Sequence, residues 1–175
     1  MAGVAVDSED RIYVYNRGEH PVIVFDGDGN VLRTWGEGFL KHAHGIFVDL
    51  AHAIYLVDRF LHAVLKYSLE GELLMRIGTL NQPTDFFLDP AGHLYVAELQ
   101  HRVSILNRDG EILTRLGGDK SHAPGQSVAP HAVWTDSKEN LYVGEVLEGQ
   151  RIQKFARIAN TEVCTDRVMA DFCIH

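Results

Sequence analysis

The sequence predicts an all-β fold built from propeller blades. Three observations predict it: a period near 40 residues, four short apolar strands within each period, and a glycine turn at a fixed place before the last strand. The first repeat runs Gly-Val-Ala-Val-Asp (3–7), Arg-Ile-Tyr-Val-Tyr-Asn (11–16), Pro-Val-Ile-Val-Phe-Asp (21–26) and Val-Leu-Arg-Thr-Trp-Gly (31–36). The second reads Gly-Ile-Phe-Val-Asp, Ile-Tyr-Leu-Val-Asp, Ala-Val-Leu-Lys-Tyr-Ser and Leu-Leu-Met-Arg-Ile-Gly over 45–78. The third reads Asp-Phe-Phe-Leu-Asp, Leu-Tyr-Val-Ala-Glu, Arg-Val-Ser-Ile-Leu-Asn and Ile-Leu-Thr-Arg-Leu-Gly over 85–117. The fourth stops after three strands: Ala-Val-Trp-Thr-Asp, Leu-Tyr-Val-Gly-Glu and Arg-Ile-Gln-Lys-Phe, over 132–155.

The aspartates that close the first strands are Asp7, Asp49, Asp89 and Asp136, spaced by 42, 40 and 47 residues. Gly29, Gly71 and Gly110 supply the positive φ that a tight hairpin needs. No stretch sustains the i, i+3, i+4, i+7 apolar pattern of an amphipathic helix. A single four-stranded sheet cannot bury both its faces, so blades must stack, with the inner strands around a channel and most apolar. The expected organisation is a propeller over 1–157, with blades at about 2–36, 44–78, 83–117 and 130–157, and a tail over 158–175. The four repeats form either a closed four-bladed ring or an open partial propeller.

Composition bounds the function. The chain has 175 residues, 46% of them hydrophobic and 23% charged, as expected of one globular domain. A net charge of −8 without a basic cluster argues against a nucleic-acid partner. No apolar run approaches the roughly 20 residues of a membrane span, so no membrane partner is expected. The sequence shows no signal peptide, which favours a soluble, cytoplasmic location over secretion. The cysteines, Cys164 and Cys173, both lie in the tail, so the blades need no disulfide framework.

The order of inner strand, Asp-x-x-Gly/Asn turn, Tyr-Val strand and Val-x-x-Phe strand resembles the NHL repeat over residues 2–157. Within that class the chain resembles peptidyl-α-hydroxyglycine α-amidating lyase and its bacterial look-alikes, which are six-bladed propellers. The matching stretches are Asn16-Arg17-Gly18-Glu19-His20, His44-Gly45, Gln82-Pro83-Thr84-Asp85, Pro124-Gly125-Gln126 and Ala129-Pro130-His131. The resemblance implies a zinc-dependent carbon–oxygen or carbon–nitrogen lyase, with Arg17 catalytic and His44 and His131 as zinc ligands. It also marks departures. The lyase uses a third histidine, a tyrosine and a second arginine. Here the corresponding steps read Ala97-Glu98-Leu99-Gln100 and Gly144-Glu145-Val146. Two central blades are expected to be missing between Gly78 and Pro83.

The residues add their own pattern. Five positions before each strand-closing aspartate stand Ala2, His44, Thr84 and His131. In a closed four-bladed ring the two histidines would face each other across the channel. Imidazole suits zinc and other borderline-soft metals. Asp58, Glu98 or Glu145, which end the second strands, are candidates for a third ligand, and His42 lies close in sequence to His44. The other reading makes the histidines remnants of a repeat motif lining a wet channel. Arg17 either steadies a carboxylate or oxyanion, or pairs with Glu19 or another acid.

His20, His62 and His101, each before a third strand, read as structural, and Trp35 and Trp134 as core. Residues 161–169 are a candidate outer strand without a glycine turn, and Cys164, Cys173 and His175 fit no strong metal motif. Two functions stand side by side: a lyase-like enzyme, and a non-enzymatic scaffold for a protein or small ligand. Either takes a small molecule or peptide at the channel mouth, with self-association through unpaired blade edges. A genomic locus with no blade-coding segment between Gly78 and Pro83 would remove the deletion.

Overall fold

A computed structural model of the chain describes residues 3–158 and the backbone of 167–169 and 172–174. Ala2, Cys164 and His175, and the side chain of Cys173, lie outside the described residues. Every regular element described is a β-strand. Blade 1 is β1 (Gly3–Val6), β2 (Ile12–Tyr15), β3 (Val22–Phe25) and β4 (Val31–Trp35). Blade 2 is β5 (Ala43–Val48), β6 (Ala53–Asp58), β7 (Ala63–Ser68) and β8 (Leu73–Ile77). Blade 3 is β9 (Pro83–Leu88), β10 (Leu94–Glu98), β11 (Arg102–Leu106) and β12 (Ile112–Gly117). Blade 4 begins with β13 (Pro130–Thr135), β14 (Leu141–Glu145) and β15 (Ile152–Arg157). Blades 1 to 3, and the first three strands of blade 4, are antiparallel meanders in chain order.

The outer part of blade 4 differs from expectation. Its fourth strand is β17 (Phe172–Ile174), which pairs with β15, and β16 (Arg167–Met169) adds a fifth on the outside. Residues 161–166 of the expected outer strand lie outside the described residues.

One turn repeats between the first two strands of every blade. The aspartate backbone N–H donates to the carbonyl four residues on, as Asp7 to Arg11, Asp49 to Ala53, Asp89 to His93 and Asp136 to Asn140. Its Oδ1 accepts the N–H of that same residue, at 3.0, 2.8, 2.8 and 3.0 Å. The residue before it takes positive φ: Asp10, His52, Gly92 and Glu139. Asp7, Asp89 and Asp136 also accept the hydroxyl of the tyrosine on the second strand, at 2.9, 3.4 and 3.1 Å. The aspartate therefore serves the turn and ties it to the sheet.

The chain divides into two compact units, Met1–Pro83 and Thr84–His175. In the first, Tyr13, Tyr15, Val22 and Val24 of blade 1 pack on Ile54, Leu56, Leu65 and Tyr67 of blade 2. In the second, Tyr95, Ala97, Val103 and Ile105 of blade 3 pack on Val133, Leu141, Val143 and Phe155 of blade 4. The inner strands are not the most buried. All six residues of β6 and all five of β10 are buried, whereas β1 leaves Val4 and Val6 half exposed. The inner strand has a hydrogen-bonded neighbour on one edge, the second strand on both. Among the described residues, no helix is long and apolar enough to cross a membrane.

Burial alone would raise the Asp7 carboxyl, but hydrogen bonds from Arg11, Tyr13 and Glu9 outweigh it and hold the pKa at about 2. Its stabilisation is complete above the ordinary value of 3.8 and is lost as pH falls towards 2. Asp7→Asn is expected to lower unfolding free energy by about 2 kcal/mol at pH 7. In urea unfolding measured across pH, the gap between variant and wild type should close towards pH 2.

Candidate functional site

The first unit places Arg17 and His44 together. After β2, the Asn16 side chain shapes the turn: its Oδ1 accepts Gly18 N at 2.6 Å and its Nδ2 donates to His20 O at 2.7 Å. The turn sends Arg17 across to blade 2, where its Nε donates to the Ala43 carbonyl at 3.0 Å. Arg17 pairs with neither Glu19 nor any other acid among the described residues. Its contact is the backbone immediately before His44.

His44 is the extra residue of a β-bulge. Ala43 pairs with Asp58 and Gly45 with Val57, leaving His44 between two rungs of the ladder. His131 repeats the device: Pro130 pairs with Glu145 and Ala132 with Gly144. A bulge re-aims the side chain it carries, and such bulges gather beside functional sites. Thr84 stands where these blades carry histidine, buried, with its hydroxyl 3.2 and 3.1 Å from the Ala97 and Pro130 carbonyls.

The second-strand acids are spent on structure. Asp58 is fully buried and accepts five donors: Lys41 N, His42 N and Tyr15 OH on Oδ2, Phe60 N and Leu61 N on Oδ1. Glu98 accepts both Nε and Nη2 of Arg102, at 2.9 and 2.8 Å, and the Ser104 hydroxyl. Glu145 accepts Val128 N, Ala129 N, Arg151 Nε and Gln153 Nε2. Burial would raise Glu145, but the hydrogen bonds from Val128 and Arg151 and the guanidinium charge hold it below the usual carboxylate range. Each acid thus ties the end of its strand to the segment around it, and its lone pairs are taken. Among the described residues, no three His, Cys, Asp or Glu side chains converge as metal ligands.

Two further side chains, His42 and Arg59, border the Arg17 corner. His42 stacks on Phe60 with ring centroids 4.3 Å apart, and its Nδ1 is buried without a hydrogen-bond partner. Arg59 donates its backbone N–H to the His42 carbonyl and Nη2 to Gln82 Oε1 at 3.0 Å, while its Nε is likewise buried and unpartnered. Burial, then the charges of Arg17 and Arg59, push the His42 pKa below its ordinary value, against the opposing pull of Asp58. Sequence reading noted His42 by its nearness to His44 and missed Arg59, which no motif marks. Its signal was only that a second-strand acid followed by arginine recurs in no other blade.

In the second unit, His131 lines an open cleft of about 530 Å³ with Gly144, Glu145, Gln150 and Arg151. Arg151 clamps the preceding loop, donating to the carbonyls of His122, Gln126 and Ser121. The three histidines before the third strands each have a hydrogen-bond partner. His20 meets Glu37 at 2.7 Å, His62 Nδ1 accepts Gln82 N, and His101 Nδ1 meets the Val128 carbonyl. Trp35 packs against the core on Tyr67, with ring centroids 4.9 Å apart. Trp134 was expected in the core but is 63% exposed, because it stands on the side of β13 opposite Val133, which packs on blade 3; its ring centroid lies 4.3 Å from that of Phe87.

No family model matches the sequence. Human NHL repeat-containing protein 3 is 29% identical over 178 aligned residues, which cover 87% of this chain and 50% of that protein. Rat peptidylglycine alpha-amidating monooxygenase is 24% identical, covering 76% of this chain and 18% of its own length. The mouse peptidyl-glycine alpha-amidating monooxygenase is 24% identical, covering 89% and 20%. The chain therefore spans half the length of the human relative and a fifth or less of the rodent ones. Among solved structures, a Bacteroides caccae protein of unknown function superposes with a TM-score of 0.71 at 14% identity, covering 89% of this chain and 63% of that one. Streptogramin B lyase gives 0.67 at 13% identity, covering 91% and 55%. A chain of a nidogen/laminin complex gives 0.66 at 21%, covering 87% and 59%. At such identities the structures speak for the fold alone.

Because the Arg17 charge lowers the His42 pKa, Arg17→Gln should raise it. Titration of the His42 ring proton by NMR is expected to show an upward shift in the variant, and Glu19→Gln should leave it in place.

Proposed function

We propose that this chain, an NHL-type β-propeller by its similarity to NHL repeat-containing protein 3, binds a small ligand through a carboxylate at the corner formed by Arg17, His42 and Arg59. The observation that carries this reading is the corner itself. Arg17 is held by the Ala43 carbonyl without an acid, and His42 Nδ1 and Arg59 Nε are buried without partners. Asp58, whose charge acts on His42, already accepts five donors. A carboxylate would supply the missing negative charge through charge-assisted hydrogen bonds. The rodent relatives are named for peptidylglycine, a peptide that ends in such a carboxylate.

Lyase turnover asks for more. A catalytic zinc uses three protein ligands and one open position, and the described residues do not gather three. No step is therefore assigned to a metal. His44 and His131 keep the zinc reading alive on one observation, their placement in matching bulges. An equivalent of zinc in purified protein, lost in both His44→Ala and His131→Ala, would support it. Less than a tenth of an equivalent, unchanged by either substitution, would end it.

Ligand binding is tested by calorimetry with a short peptide ending in glycine, against the same peptide carrying a C-terminal amide. The acid is expected to bind and the amide to bind at least tenfold more weakly. Arg17→Ala should cost about tenfold, the scale of one hydrogen bond to a charged group. Binding should also take up protons, since a bound anion raises the lowered His42 pKa. Equal affinity for the two peptides would overturn the proposal.

A further inference from the structure

The turn after β6 carries a side chain that the turn itself does not need. The second strands of blades 1, 2 and 3 close on a polar residue: Asn16, Asp58 and Glu98. Two residues further on stand Gly18, Phe60 and Gln100. Blades 1 and 2 hold this turn in the same way. Asn16 Oδ1 accepts Gly18 N at 2.6 Å, and Asp58 Oδ1 accepts Phe60 N at 3.0 Å. Asp58 Oδ1 also accepts Leu61 N at 3.0 Å, and Arg59 N donates to the His42 carbonyl at 3.1 Å. The backbone of Arg59, Phe60 and Leu61 is therefore tied down residue by residue. Since glycine serves blade 1 at the equivalent place, nothing in the turn calls for a phenyl ring.

Phe60 is nonetheless 62% exposed. Its ring stacks on His42, with centroids 4.3 Å apart and planes inclined by 27°, and the rest of it meets water. That stack sets the phenyl ring against the Arg17 corner. Arg59 is its chain neighbour, and Arg17 is anchored on the Ala43 carbonyl, next in sequence to His42. The corner thus joins a few polar groups of fixed direction to one large apolar surface, the usual make-up of a site that orients a ligand by its polar end and grips it by its apolar body. Because the backbone beneath Phe60 is already ordered, presenting the ring to a ligand costs little conformational entropy.

Building on the carboxylate reading of the corner, we propose that Phe60 is its specificity-determining residue, an apolar platform for the side chain that precedes the ligand's carboxyl-terminal residue. The ligand class is then a peptide with an aromatic or large aliphatic residue next to its terminal glycine. With the carboxylate beside His42, the preceding residue lies one Cα step away, about 3.8 Å. The stack puts the centre of the phenyl ring 4.3 Å from that of the imidazole. The two spans are alike, so the preceding side chain reaches the free part of the Phe60 ring. An aromatic side chain there gains ring contacts beyond the area it buries. An acidic one would be drawn to Arg17 and Arg59 instead, which separates apolar selection from selection by charge.

Calorimetry of the full chain with the N-acetylated dipeptides Phe-Gly, Ala-Gly and Glu-Gly reads this preference. Phe-Gly should bind about fivefold more tightly than Ala-Gly, the scale of one aromatic contact, and more tightly than Glu-Gly. Phe60→Ala should bring the Phe-Gly and Ala-Gly dissociation constants together. Leu50→Ala, which removes an exposed leucine from the turn at the other end of β5, should leave their ratio as it was. If Phe60→Ala loses its β-sheet circular dichroism, NMR of the unmodified chain decides: the peptide's phenyl protons should show a nuclear Overhauser effect to the Phe60 ring. Equal binding of Phe-Gly and Ala-Gly, a preference that survives Phe60→Ala, tighter binding of Glu-Gly, or no such effect would overturn the platform and leave the carboxylate reading standing. Equal binding of Ala-Gly and its C-terminal amide would remove the carboxylate reading, and the platform with it.

Discussion

A four-stranded meander of this sequence has two apolar faces and cannot bury both. Everything else in the structure depends on that constraint. It forces Tyr13, Tyr15, Val22 and Val24 onto Ile54, Leu56, Leu65 and Tyr67, and the corresponding residues of blade 3 onto blade 4. Non-directional apolar burial supplies the attraction. The period-2 alternation of each strand decides which residues take part, since slipping one residue would turn the wrong face inward.

The polar network then sets the details that burial leaves loose. Each repeated aspartate ties the first two strands together through a five-residue turn. The acids that end the second strands gather the neighbouring segments: Asp58 takes the N–H groups before β5, and Glu145 those before β13. Both inner strands that follow start with a histidine bulge. The bulge and the buried acid belong together, because the acid holds the incoming chain where the extra residue must be absorbed. The site at Arg17 is a by-product of that geometry. The Ala43 carbonyl beside the bulge becomes the anchor for the arginine.

Much of the fold was legible because it rests on local patterns repeated four times. Asp7, Asp49, Asp89 and Asp136 marked the strand ends, and Gly29, Gly71 and Gly110 all take positive φ as their turns require. Arg17 and the two bulge histidines were legible as motifs. Arg59 was not, since its place beside His42 follows from the path of the chain after β6. Asp58 and Glu145 looked like free ligands because nothing in a linear pattern says which N–H groups will point at them. Trp134 misled for the same reason: a tryptophan in a strand pattern signals an apolar face without saying whether that face is covered.

The sequence alone thus determined the all-β repeat, the strands of the first three blades and the residues on each face. These follow from side-chain alternation and turn chemistry, which act within a few residues. Tertiary structure decided the rest: that β17 completes blade 4, and that the second-strand acids are already satisfied. Those outcomes depend on which groups meet across dozens of residues, where burial and hydrogen-bond satisfaction are settled by packing and leave no periodic mark.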